Sequence, residues 1–188
     1  MLIQRSQPDG LALDLARLKS QMNVGHDDQD ASLAQIIQGE TGRYELFTGR
    51  TMLPTALEMQ AAGWSSPLHL PVVPFRELTG VFYLDQDGLE QEADSASFYT
   101  IETVSGVDVC ATDGFRWPTL AARPDAVRVR FMAGHDDSYA EPPAAALIPR
   151  HMIDEVMISL MVARIFDEGQ PITDQEMRES MSHRRILR

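Results

Sequence analysis

Two copies of Gly-His-Asp-Asp, at 25–28 and 134–137, offer the chain's most evident reactive groups. A histidine followed by two carboxylates supplies an imidazole and hard oxygen ligands, the donor types that hold zinc and other divalent ions. Neither copy has the spacing of a recognised metal signature. The plainer expectation is two polar turns, with His26 and His135 exposed and the aspartates capping. Four residues are also too few for a structural repeat. Cys110 is the only cysteine, so it forms no intrachain disulfide and no zinc motif. It falls in an expected strand, where a lone cysteine is ordinarily a small core residue. Paired with His69 or His135 it would be a nucleophile. A small metal- or Cys/His-dependent enzyme using His135, Asp137 and Cys110 is therefore one alternative. There is no nucleophile elbow, no phosphate-cradling glycine loop and no HExxH. Asp85 and Asp87 precede Gly88, and a turn accounts for them without catalysis. Gly114-Phe115-Arg116-Trp117-Pro118 sets aromatics beside an arginine, a group that can stack on a partner when exposed. Large aromatics are mostly buried, and Trp117 is expected to plug the core.

These groups must be positioned by helices at both ends of the chain and strands between them. Residues 28–50 form the central helix. Leu33, Ile36, Ile37, Tyr44 and Phe47 repeat at helical spacing, and Asp27, Asp28 and Asp30 stand ready to cap its start. Gly49 suits the left-handed residue at its end. Gly39 and Gly42 weaken its middle, which predicts a bend or a close contact there. A shorter helix precedes it, with Leu11, Leu15, Leu18 and Met22 on one face, after an extended lead-in over residues 1–10. Strands are predicted at 78–84 and 89–93 around an Asp-Gly turn, at 98–104 and 107–111 around Ser105-Gly106, and at 127–133. In the last, Val127, Val129 and Phe131 alternate with Arg128 and Arg130, the pattern of a half-buried strand.

A final helix runs from about Pro149 to Glu168. Met152, Val156, Leu160 and Ile165 belong to apolar positions that cover more than one face, so this helix is expected to be the most buried element, within the fold or between subunits. The tail from Ile172 to Arg188 is expected to be extended. The fold class is α+β: a small helical core of two N-terminal helices and a long C-terminal helix, an inserted antiparallel β-rich subdomain, and an extended C-terminal tail. The corresponding bounds are 1–50, 51–134, 149–170 and 171–188.

The net charge is −12 and the apolar content 44%, enough for one core. An acidic chain is repelled by phosphate, which argues against broad nucleic-acid binding. No signal peptide or membrane-spanning apolar run is visible, so a soluble intracellular product is expected. Residues 178–188 carry Arg178, Arg184, Arg185 and Arg188 against Glu179, a net +3, leaving −15 on the rest. Together with Ile186 and Leu187 this makes the end a candidate docking segment on an acidic body. A soluble partner-binding module using that tail is a further alternative.

Several segments, taken in order, resemble the head-to-tail connector proteins (adaptor or head-completion proteins) of tailed bacteriophages and of phage-derived gene transfer agents. They are LALDLARLKSQMNV at 11–24, HDDQDASLAQII at 26–37, TGR at 48–50, LPVVPFREL at 70–78, VFYLDQDG at 81–88, WP at 117–118 and DAVRVRFMAG at 125–134, followed by the closing helix. The likeness spans roughly residues 1–170. It implies a helical core interrupted by a β-rich insertion. It also implies a homo-oligomeric ring, about twelve subunits, beneath the portal protein at the head–tail junction of a virion assembled from chains made in the host cytoplasm. Such a ring extends the DNA channel towards a tail-side stopper or tail-terminator protein. It has no catalytic activity or cofactor, binds no membrane and lets DNA pass without specific binding. Two features depart from the family pattern: a longer loop, SYAEPPAAALI at 138–148, and a tail after Gln170 with no matching motif.

Overall fold

The structure, a computed structural model, describes residues 1–6, 8–136 and 148–181. The chain divides into two compact units. A β-unit comprises Met1–Pro8 and Pro54–Gly134. A helical unit comprises Asp9–Leu53 and the described residues from His135 onward. The chain is thus α+β. No helix among the described residues is long and apolar enough to cross a membrane.

In the β-unit, strands β1 (Leu2–Gln4), β2 (Thr55–Ala61), β4 (Phe75–Leu84), β5 (Glu90–Ala93) and β8 (Val127–Ala133) form an antiparallel sheet ordered β1-β2-β8-β4-β5. β3 (Leu68–Leu70), β6 (Phe98–Thr103) and β7 (Gly106–Ala111) form a second sheet ordered β3-β7-β6. The lead-in is therefore a paired edge strand. β8 is central because its alternation serves both of its faces. Val127, Val129, Phe131 and Ala133 are buried, and the last three share a core with Leu57, Val81, Leu70 and Val109. Arg128 and Arg130 point to the other face.

That other face is a chain of ion pairs. Arg130 Nε lies 2.9 Å from Glu58, its Nη2 2.8 Å from Glu90, and Arg128 reaches Glu90 and Asp125 at 2.7 Å each. Burial pushes the Glu58 carboxyl up, but hydrogen bonds from Arg130 and Gln60 and the charges of Arg5 and Arg130 outweigh it and hold it below its usual value. Gly80 belongs to the same face: Phe82 folds back so that a Cβ at Gly80 would sit 2.7 Å from its ring, and Arg130 stacks 4.0 Å above that ring. Gly106, at φ 149°, opens β7 where Leu70 crosses; a Cβ there would fall 1.9 Å from the Leu70 carbonyl oxygen.

In the helical unit, α1 (Leu15–Gln21) is capped by Asp14, whose carboxylate accepts the Arg17 N–H at 2.6 Å. α2 (Asp30–Thr48) buries Leu33, Ile37 and Tyr44 against Met157, Ile158, Met161 and Val162 of α3 (Met152–Glu168). Both end on left-handed glycines, Gly49 and Gly169. The aspartates before α2 do something other than cap it. Asp27 and Asp30 each take the Lys19 ammonium at 2.6 Å, tying α1 to the start of α2, while Gln29 occupies the cap without a side-chain bond.

Within the single chain α3 is not the most buried element: Met152, Val156 and Leu160 are 76%, 48% and 54% exposed, and Ile165 is half-buried, which leaves the expected burial of this helix to contact between subunits. The tail is not extended over its first half. Asp174–Met181 forms helix α4. Thr173 and Glu176 cap it reciprocally, the Thr173 N–H donating to Glu176 at 2.8 Å and the Glu176 N–H to the Thr173 hydroxyl at 3.3 Å. Glu176 also meets Arg164 of α3 at 2.8 Å, which with the Thr173 bonds lowers its carboxyl to about 2. Met177 is buried in the helical core.

Candidate functional site

The two Gly-His-Asp-Asp copies have different fates. His26 stands exposed in the turn before α2, with Asp27 committed to Lys19. His135, expected to be exposed, is buried at 3%. Its Nδ1 meets the Pro149 carbonyl at 3.0 Å, so Nδ1 is the donor. Burial, reinforced by the nearby Arg50 charge, lowers its pKa to about 4 and keeps it neutral. Asp136 is used up in accepting the Ile148 N–H at 2.7 Å, and Asp137 lies outside the described residues. Beside them Asp154, fully buried, accepts the Tyr44 hydroxyl at 2.6 Å and faces Arg50 Nε at 3.5 Å. Cys110 is buried in β7 opposite Tyr99. Among the described residues, no group of three or more His, Cys, Asp or Glu side chains is arranged to hold a metal.

One chemical arrangement escapes sequence reasoning. Ser105 Oγ lies 3.3 Å from His69 Nε2, and His69 Nδ1 lies 2.7 Å from Asp108 Oδ1. A carboxylate only accepts, so Nδ1 carries the proton, Nε2 accepts, and Ser105 donates. That is the proton order of a serine nucleophile. However, the His69 and Asp108 side chains are 42% and 27% exposed, whereas the carboxylate of such a triad is buried. The arrangement ties the β6–β7 turn to β3. It depends on the β3–β7 register, which sets His69 opposite Asp108 across 39 residues, and no local pattern announces it.

Trp117 is not a plug. It is 47% exposed at the rim of an aromatic cluster with Trp64 and Phe115, at centroid distances of 5.5 and 4.8 Å. Trp64 donates its indole N–H to the Pro118 carbonyl at 2.9 Å, fixing the loop.

The strongest candidate for function is a surface of the helical unit. Met152, Val156 and Leu160 follow one another at four-residue spacing and form an apolar ridge along α3. The same residues form one wall of a groove of about 320 Å³ between α3 and α1, lined also by the apolar Leu13, Leu18 and Met22 and by Asp14, Arg17 and Glu155. Among the candidate docking residues, Arg178 is exposed on α4. Arg184, Arg185, Ile186, Leu187 and Arg188 lie outside the described residues.

No protein-family model matches this sequence, and no curated protein does. The fold, however, is similar to solved structures over its full length. A chain in the virion of a native gene transfer agent particle superposes with a TM-score of 0.75 at 17% identity, over 100% of this chain and 96% of that one. Chains in the neck of the empty particle, computed with C6 symmetry, and in the neck of the native particle, computed with C12 symmetry, give TM-scores of 0.74 at the same identity and coverage. At that identity the likeness establishes a shared fold.

Proposed function

We propose that this chain is a structural subunit of a particle neck, an adaptor ring that joins portal to tail and extends the channel for DNA. The observation that carries this reading is the end-to-end likeness to chains in gene transfer agent neck and virion structures, with neither protein leaving a domain unmatched. The C12 symmetry of one such neck supports twelve copies around the ring. A net charge of −12 suits a channel wall that lets DNA slide without holding it. The exposed apolar face of α3, with Met152, Val156 and Leu160, supplies surface for subunit contacts. Ile165 is half-buried at that helix's end.

The role is structural, with no catalysis or cofactor, at the head–tail junction between portal and a tail-side stopper or terminator. The basic end docks on the portal. Because α4 is folded into the helical core through Met177, the docking segment is narrowed to Arg178 and residues 182–188, with arginines for carboxylates and Ile186 and Leu187 for a small groove. Removal of residues 182–188 should weaken binding to DNA-free portal rings. Unchanged binding would assign the tail elsewhere. Deleting the gene tests the whole reading: DNA-filled heads without tails are expected, and normal tailed particles would overturn it.

A further inference from the structure

We infer that the apolar ridge of α3 in one copy seats against the glycine-bearing outer face of α2 in the next copy, so that two different surfaces of the helical unit make one head-to-tail contact. The inference rests on the ring proposed above and names where its subunits meet.

Each half of this contact lacks a purpose within the single chain. The α3 ridge puts Met152, Val156 and Leu160 in water as one wall of an apolar groove. On α2, Gln35, Gly39, Gly42 and Leu46 follow one another by four, three and four residues, which places them on one stripe directed away from the buried Leu33–Ile37–Tyr44 side. Leu46 is 80% exposed. Glycine inside a helix is less stable than alanine. A Cβ at Gly39 or Gly42 would nonetheless meet nothing within 4 Å, so no contact inside the chain requires glycine at either position. What these glycines do provide is a shallow trough, into which an i, i+4 ridge of another helix fits closely.

Charge points the same way. Copies with a net charge of −12 repel one another, which favours contact through faces that carry no charge. The α2 stripe carries none, nor do Met152, Val156, Ser159, Leu160 and Ala163 along the α3 ridge; Asp14, Arg17 and Glu155 stay at the rim. Area sets the strength. The ridge runs about three turns, roughly 15 Å, and a helix is about 10 Å wide, so the contact covers a few hundred Å² per copy. Stable complexes need about 800 Å² per partner. The copies therefore stay apart in dilute solution and join when a symmetric template holds neighbours at high effective concentration. An α3-to-α3 contact would be isologous and stop at a dimer, whereas two unlike faces propagate and close into a ring.

The test uses the full-length chain with Cys110→Ala, built into particles and treated with a short bis-maleimide. Leu46→Cys and Leu160→Cys in the same chain should give a ladder of covalent oligomers, and each alone only monomer. Dimers from Leu160→Cys alone would overturn the inference. So would a doubly substituted chain that is present in particles and does not cross-link, a result that leaves the neck role standing. Absence of the unsubstituted chain from particles overturns both. A second measurement does not depend on cross-linking: Gly42→Ala should raise the melting temperature of the free chain, whereas Gly42→Leu should fold normally yet fail to enter particles. Normal incorporation of Gly42→Leu would contradict the contact.

Discussion

The outer face of the five-stranded sheet and the outer faces of α2 and α3 are both surfaces of one acidic chain, and they are finished differently. On the sheet, Arg5, Arg128 and Arg130 are threaded among Glu58, Glu90 and Asp125, and each charge has a partner within the same unit. Even its irregular residue has an internal reason, since Gly80 makes room for Phe82 beneath Arg130. On the helices, Leu46, Met152, Val156 and Leu160 stand in water, and Gly39 and Gly42 answer to nothing in the chain. The first surface pairs these charges internally; the second presents apolar side chains and glycines of the kind that suit the proposed contact with another copy.

The largest effect should separate two residues on one helix. Ile158 is fully buried, so Ile158→Asp should cost about 4 kcal/mol or more and unfold the helical unit. Val156→Asp, two residues away on the exposed ridge, should stay within about 0.5 kcal/mol of the parent in denaturant titration while losing assembly. Equal destabilisation by the two would erase the contrast between a finished core and an open face.

Glycines sharpen it further, with opposite signs. Gly106→Ala drives a Cβ into the Leu70 carbonyl at a backbone angle that alanine rarely adopts, and should cost about 3 kcal/mol. Gly39→Ala fills open space and removes helix-interior glycine, and should gain about 1 kcal/mol. Thermal melts of the free chain measure both.

A pH-dependent effect belongs to His135. His135 titrates at about 4 when folded and near 6.5 when unfolded, so below pH 6.5 the unfolded chain takes up a proton that the folded chain refuses. Stability is unaffected by this residue above pH 6.5 and falls as pH drops from 6.5 to about 4, by up to about 3 kcal/mol. His135→Asn should flatten that window. An unchanged slope in His135→Asn would mean that other groups govern acid sensitivity.

The limits of the sequence have physical causes. The alternation of Val127, Val129 and Phe131 with Arg128 and Arg130 marks β8 because a central strand with one charged face must alternate. Gly49 marks the end of α2 because glycine best tolerates φ 69°. The Thr173-x-x-Glu176 capping box that starts α4 was also legible, but the polar tail around it disguised a helix anchored by the buried Met177 and the Arg164–Glu176 pair. The environment of His135 was not legible, because its Arg50 neighbour and its Pro149 hydrogen-bond partner come from outside the tetrad. Nor was the orientation of the α3 surplus, since an apolar helix is equally compatible with a core and with an interface.

The central claim is that this chain is a ring component of an assembled neck, and its copy number tests that most directly. Quantitative mass spectrometry of purified particles should find as many copies of this chain as of the portal protein, about 12 each if the ring follows the C12 symmetry of the similar neck. Its absence from particles that carry a full portal ring, or a trace amount far below the portal's, would contradict the account.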